Sequence, residues 1–325
     1  MSSASRVPET FELSGDDARE TLLACGRRQL VKDAYKRLRA SDGFSHARSL
    51  AYALALVLVQ GVIALVGLAR AIGKSGLSDV IVRSLEAAAP GPAGELLTSA
   101  VRQAHEAGAS HEYVGLVFGL LGSIVTGATL MGQMERALNR LYGIERDRPT
   151  FEKYSRALVL ALTSGALSVV AFVALAFGRA IGDGFDGGPL AGVWSVARWP
   201  LALATMMAAT ALLFRWAPNR HQPAWSWLAF GASVSVLSWF LVTVALGAFF
   251  RISTSFGDTY GPLAGLVALL LWAFLSSVAV LLGAAVAAQL EAIRAGAPRP
   301  QSRNDAQDPG AADGAHRARA ATIAG

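Results

Sequence analysis

The sequence predicts an all-α polytopic membrane protein: six transmembrane helices with both termini on the cytoplasmic side. Three observations lead there. Hydrophobic residues make up 53% of the 325, and charged residues only 16%, against about 25% in ordinary globular domains. Six runs of about 20 residues carry no charge, the length that crosses a hydrocarbon core. The basic residues fall unevenly between those runs. Mean hydropathy is +0.43, more apolar surface than a soluble core of this size absorbs.

The first 48 residues are polar and charged. They lack the short apolar stretch and small-residue cleavage site of a signal peptide, so the first span is expected to stay in the mature protein. Residues 15–40 read as one amphipathic helix. Leu23, Leu30, Ala34 and Leu38 follow helical spacing, with Arg27, Lys32, Lys36 and Arg39 around them. Two readings stand for it: a helix lying on the anionic inner leaflet, and a collar packed on the bundle. The single cysteine, Cys25, has no partner for an internal disulfide and reads as a small apolar residue.

The spans follow in order: Ser49–Ala69, Tyr113–Met134, Ala157–Gly178, Trp199–Phe214, Trp225–Phe250 and Tyr260–Leu290. The fourth run is short, so its helix is expected to start near Gly192. A mid-bilayer arginine costs roughly 2.5–3.5 kcal/mol, which gives the clean runs their meaning. Between the first two spans, residues 70–112 predict an extracytoplasmic helical hairpin. Leu77, Val80, Ile81 and Leu85 form one amphipathic pattern, Pro90-Gly91-Pro92 breaks it, and Leu96, Leu97, Val101 and Ala104 start another. The glycine-rich stretch Gly182–Pro189 lacks the ligand spacing of a calcium loop and reads as a turn. Residues 291–325 are rich in Ala, Pro, Gly, Asp and Arg and predict a disordered tail.

With both ends inside, 22 of the 29 Lys and Arg residues are cytoplasmic and 7 outside. This is the positive-inside bias. It accounts for the net charge of +6 without nucleic acid as a partner. Trp194, Trp199, Trp216, Trp225 and Trp227 lie near span ends, where an interfacial belt is expected.

The sequence offers little for catalysis. All five histidines lie outside the spans. No HExxH, G-x-S-x-G, P-loop or cysteine-rich metal motif is present. No carboxylate sits at mid-span for a proton relay; polar groups there are Gln60, Gln133, Gln289 and scattered Ser and Thr. No enzyme activity, metal or cofactor is therefore expected. Small residues such as Gly115, Gly119, Gly122, Gly261 and Gly265 suit close helix packing, which leaves homo-oligomers open. Gly261-Pro262 also allows a break beside a cavity.

The densest polar stretch is Glu135–Tyr142, where the second helix runs out of the membrane. Glu135, Asn139 and Tyr142 share one face; Arg136 and Arg140 share a neighbouring one. Two readings apply: topogenic charge with helix-end hydrogen bonding, and recognition of an anionic head group by arginine forks. Arg215 lies on the same predicted side.

These residues carry a family resemblance. Glu135-Arg136-Ala137-Leu138-Asn139-Arg140-Leu141-Tyr142 resembles a segment of the YihY/virulence factor BrkB family. Phe214-Arg215-Trp216-Ala217-Pro218-Asn219-Arg220, Tyr260-Gly261-Pro262-Leu263, Leu271-Trp272 and Leu282-Gly283-Ala284 resemble further segments in order. The resemblance spans roughly residues 49–290. It implies a six-span bacterial inner-membrane protein, with suggested roles at the envelope and in lipid or amphiphile transport. An old family label, ribonuclease BN, has no support in the residues. The chain departs from the pattern at Ala285 and Ala287, where the family carries Glu and Asn, and at Val59-Gln60-Gly61, which lacks a proline. Gln289 is the nearby polar substitute.

The expectation is a carrier or flippase-like protein for a membrane lipid or other amphiphile. Glu135, Arg136, Asn139, Arg140, Tyr142 and Arg215 are expected to hold the head group. Tyr260, Gly261, Pro262 and Trp272 are expected to shape the cavity. The alternative is a non-catalytic membrane scaffold for envelope proteins, with the ribonuclease a remote third.

Overall fold

The computed structural model describes residues 3–10, 13–71, 89–107, 114–176, 189–253, 255–297 and 300. Ten α-helices and one 3-10 turn are found among them: α1 Gly15–Cys25, α2 Arg27–Ala40, α3 Gly43–Ala71, α4 Pro92–Ala107, α5 Val114–Leu141, α6 Thr150–Ala176, α7 Pro189–Trp216, α8 Trp225–Ile252, α9 Ser255–Tyr260, the turn Gly261–Leu263, and α10 Ala264–Arg294. Helices α3, α5, α6, α7, α8 and α10 are long and apolar enough to cross a membrane. The protein is all-helical with six candidate spans, as the sequence predicts.

The predicted single helix at 15–40 is two. Gly26 has φ +80, a conformation that ends α1 and that residues with a Cβ resist. Ser14 starts α1: its backbone N–H and its hydroxyl both donate to Asp17 Oδ2 at 2.8 Å, one half of a capping box. The first span also starts earlier than the charge-free run, at Gly43. Of the predicted hairpin, the second half is α4. The first half, the Gly182–Pro189 turn up to Gly188, His111 and the tail after 300 lie outside the described residues, and Pro189 itself opens α7.

Neighbours in sequence are neighbours in space, and α10 returns to α3, so the spans close a ring. Two crossings are tight. A Cβ on Gly119 would lie 2.6 Å from the Ala64 nitrogen, and one on Gly231 would lie 2.8 Å from Ala287 Cβ. Gly67, Gly119, Gly231 and Gly283 are thus packing contacts, whereas Gly61 of α3 faces open space. Ala287 occupies the position where the resembled family has Asn; here it faces Gly231, with no room for a longer side chain.

The buried apolar core has two large parts, with a small third made of Val7, Tyr142, Ala288 and Ala292. One lies at the end that holds α1, α2 and the 142–150 and 217–224 loops, here called inner after the Lys/Arg bias. It draws on every span, through Leu50, Leu138, Leu160, Phe214, Trp227 and Leu281 among others. Trp227 is fully buried there, so it leaves the interfacial belt predicted for it. The other part lies at the opposite end. Among the described residues it draws on α3, α4, α8 and α10, through Val62, Val66, Leu97, Leu246, Leu269 and Trp272.

Candidate functional site

Loops and helix ends at the inner mouth are joined by two buried polar clusters. Each grows from a place where an apolar helix ends and its last carbonyls need donors.

The first cluster lies between α5, α6 and the 217–224 loop. Glu135 and Asn139 are buried on α5. Arg148 reaches Glu135 Oε1 at 3.4 Å. Its guanidinium also donates to the carbonyls of Ala217 and Pro218, both at 2.8 Å. Asn139 donates to Asp147 Oδ1 at 3.0 Å and accepts from the Asn219 backbone N–H at 2.8 Å. Lys153 and Arg136 approach Asp147 Oδ2 at 3.2 and 3.4 Å. Burial pushes the Asp147 carboxyl up, but Asn139, Lys153 and Arg140 together hold it below the usual carboxylate range. Burial also lowers the Arg148 pKa, with Glu135 opposing.

The second cluster ties an extended N-terminal strap to the ends of α5 and α10. The backbone N–H groups of Ala4 and Val7 donate to the carbonyls of Arg140 and Tyr142, both at 3.1 Å. Arg37 is fully buried on α2. It donates to Gln289 Oε1 at 2.9 Å and to the carbonyls of Ser5 and Leu141 at 3.0 Å. Burial pushes its guanidinium down to about 10, with Tyr142 and Glu291 opposing. Arg220 donates to Glu291 Oε1 at 2.6 Å, with both side chains buried. It lies 4.6 Å from the centre of the Tyr142 ring. Thr10 donates to the same Glu291 oxygen at 2.6 Å. The Tyr142 phenol is buried and held above its usual pKa. The strap crosses Gly143, which has φ +74 and whose Cβ would meet Arg6 Cα at 2.5 Å. Only glycine fits there.

The residues singled out from sequence are thus divided. Glu135, Asn139 and Tyr142 are buried and engaged within the protein. Arg136 is partly exposed and paired with Asp147. Arg140 donates to the Ile144 carbonyl at 2.6 Å. Arg215 donates to the Pro223 carbonyl at 2.7 Å and lies over the Trp225 ring. Tyr260 and Gly261 are exposed at the opposite end, and Pro262 stands in the 3-10 turn. Trp272 donates to Thr243 Oγ1 at 3.1 Å inside the outer core. The structure brings together the α5 residues and leaves the Tyr260–Trp272 group apart from them.

Of the residues that complete both clusters, Asn219 and Arg220 stand in the family-like segment 214–220, while Arg37, Asp147, Arg148 and Glu291 are not singled out by the sequence. In the sequence Arg148 counts only as topogenic charge, and Arg220 as that and as the last residue of the family-like segment. Their signal is proximity to Pro149 and Pro218, rigid loops within reach of helix ends. Gln289, expected as a polar substitute in the last span, is the acceptor for Arg37. Among the described residues no group of three or more His, Cys, Asp or Glu stands ready to hold a metal.

Comparison with known proteins agrees with the architecture. The family described as Virulence factor BrkB matches residues 34–308. The chain is 24% identical over 266 residues to the putative ribonuclease-like protein YfkH of Bacillus subtilis (strain 168), covering 80% of this chain and 94% of that protein. It is 27% identical over 272 residues to a UPF0761 membrane protein of Chromohalobacter salexigens, covering 80% of this chain and 62% of that one. It is 30% identical over 191 residues to a UPF0761 membrane protein of Verminephrobacter eiseniae, covering 54% and 42%. The chain spans less than two thirds of the length of these two UPF0761 relatives. No solved structure matches it.

Proposed function

The chain belongs to the virulence factor BrkB family of integral membrane proteins, and we propose that it is a bacterial inner-membrane carrier for a lipid or other amphiphile. One observation carries this reading. The six spans share a buried core at the inner end, whereas among the described residues the core at the outer end is drawn from α3, α4, α8 and α10. A bundle whose inner core joins all six spans and whose outer core joins fewer has the asymmetry expected of one state of an alternating carrier, with α5 still packed on α3 toward the outer end, where a Cβ on Gly67 would meet Leu116 Cα at 2.7 Å. The two polar clusters are then the latch of the inner mouth. Arg37 Nη2 and Glu291 Oε2 are buried in it without hydrogen-bond partners. Such atoms cost about 1–3 kcal/mol each, a cost that hydration of an opened mouth would relieve. Arg136, Arg140 and Arg215 are the guanidinium groups we assign to the head group once the latch opens. Tyr260, Gly261, Pro262 and Trp272 form the outer wall.

The test is native mass spectrometry with lipidomics on protein extracted into polymer nanodiscs, paired with flux of a fluorescent phospholipid in proteoliposomes. The expected result is a lipid enriched over bulk membrane, reduced in Arg136→Ala/Arg140→Ala, and flux above protein-free vesicles. A bulk-like lipid profile with no flux sinks the carrier reading.

A second reading has its own observation. The outward face of α2 presents Arg28, Lys32 and Arg39 with Val31 and Tyr35 exposed among them, and Leu23 is exposed on α1. That face suits an anionic leaflet or a scaffold partner. Crosslinking from Val31 that captures one stable protein partner favours the scaffold. The ribonuclease wording belongs to the Bacillus relative's name, and no residue cluster described above performs that chemistry.

A further inference from the structure

Away from both clusters, a cavity of about 270 Å³ opens at the inner end of the seam between α6 and α7. Ser155, Arg156, Val159, Leu160 and Trp216 line it. None of these belongs to the latch or to the head-group set above. We propose that it is a binding site for the head and upper chain of an anionic phospholipid of the inner leaflet.

The lining is graded along the membrane normal. Arg156, Val159 and Leu160 stand at i, i+3 and i+4 on one face of α6. Val159 and Leu160 therefore lie about 4.5–6 Å deeper than Arg156, at 1.5 Å per residue. The level of Arg156 is marked by exposed aromatic side chains: Phe151 and Tyr154 on α6, Trp216 at the end of α7 and Trp225 at the start of α8. Aromatic residues gather at the head-group level of a bilayer. The cavity thus sets a cation at head-group depth directly above an apolar wall at chain depth. Its volume is below the ~300–1,000 Å³ of pockets that enclose a whole small ligand. It fits part of an amphiphile whose remainder lies in the bilayer.

The charge fits an anion. Between Glu135 and Arg156 there are six Lys and Arg against four Asp and Glu. Arg148 and Lys153 are occupied by Glu135 and Asp147. Among the described residues Arg156 pairs with the exposed carboxylate of Glu152 at 3.2 Å, whose same oxygen lies 3.8 Å from Arg148 Nε, a contact that solvent screens and a phosphate can replace. The Ser155 hydroxyl already donates to the Glu152 carbonyl at 3.0 Å, so Arg156 is the donor to the phosphate. An arginine fork suits phosphate, and the Trp216 indole supplies an amphipathic rim. The site does not rest on transport, since a resident lipid that never crosses the membrane would occupy it equally.

The test is native mass spectrometry of the full chain in detergent, titrated with phosphatidylglycerol, with phosphatidylethanolamine and with inorganic phosphate. Wild type is expected to retain phosphatidylglycerol over phosphatidylethanolamine and to ignore free phosphate. Arg156→Ala should cut retention roughly tenfold, the scale of one charge-assisted contact. Val159→Phe, which keeps the charge and fills the cavity, should cut it as well. Glu152→Gln, which removes the competing carboxylate, should raise it. Arg48→Ala, an exposed cation on α3, should change nothing. Equal retention of the two lipids, or retention unaffected by both Arg156→Ala and Val159→Phe, overturns the site. Retention without flux supports this site while removing the carrier reading, so the two fail separately.

Discussion

At the inner end Arg37, Arg148 and Arg220 are buried against Gln289, Glu135 and Glu291. At the outer end Phe250 meets Phe256 at 5.0 Å, Phe256 meets Tyr260 at 4.8 Å, and α4 packs Leu97 and Val101 onto its neighbours. Among the described residues no ion pair joins elements at the outer end. The difference is one of specificity. A buried charge pair has one good partner geometry and a large penalty for losing it. An aromatic and aliphatic contact tolerates sliding and repacking. The inner end is built to be in one of two states, joined or broken. The outer end is built to adjust.

The comparison breaks most sharply at Arg220. Arg220→Ala leaves Glu291 buried and unpaired, and is expected to cost about 3–5 kcal/mol. Thermal unfolding in nanodiscs reads it; an unchanged midpoint would mean that the cluster does not hold the inner end. Two glycines sharpen the contrast next. Gly143 and Gly91 both have positive φ, so alanine strains either. At Gly143 the new Cβ meets the strap backbone, while at Gly91 it meets the Phe250 side chain at 2.8 Å. Gly143→Ala should destabilise by about 1–3 kcal/mol and Gly91→Ala by less, because the new Cβ lies 2.5 Å from the nearest strap atom at Gly143 and 2.8 Å from the nearest Phe250 atom at Gly91. Proteolysis of the strap should rise in Gly143→Ala alone.

A smaller effect is expected at Thr243. Thr243→Val removes the acceptor of the Trp272 indole and should cost about 1 kcal/mol. A tryptophan emission shift towards that of an unbonded indole would accompany it. The smallest effect is a pH dependence from Asp147. Its folded pKa is lowered, so the unfolded chain binds the proton more readily. The stabilisation is complete above the ordinary carboxylate range and is lost as pH falls through the folded value. Asp147 is partly exposed, so the effect should stay below about 1 kcal/mol. Asp147→Asn should flatten the acid limb of a melting-temperature profile; an unchanged limb would assign it to other carboxylates.

Much of the fold was legible because bilayer crossing is a one-dimensional problem. A run free of charge, about 20 residues long, is a span whatever surrounds it. The break at Gly26 was open to reading too, but the periodicity of Leu23, Leu30 and Leu38 runs through it. The site was half legible. Glu135, Asn139 and Tyr142 stood out because they share a helix face, a local property. Their partners Arg148, Asn219, Arg220 and Glu291 come from different elements, and no spacing links them.

The sequence by itself determined the membrane class, six spans and the expected sidedness, since these follow from hydropathy and charge counted along the chain. Only the tertiary structure decided which charges are buried together. Arg37 and Gln289 are 252 positions apart, and Arg220 and Glu291 71. Each pair forms because helix ends with unsatisfied carbonyls converge at one mouth and exclude water from the charges they gather. Desolvation makes an unpaired ion costly, and that cost is a property of the assembled bundle.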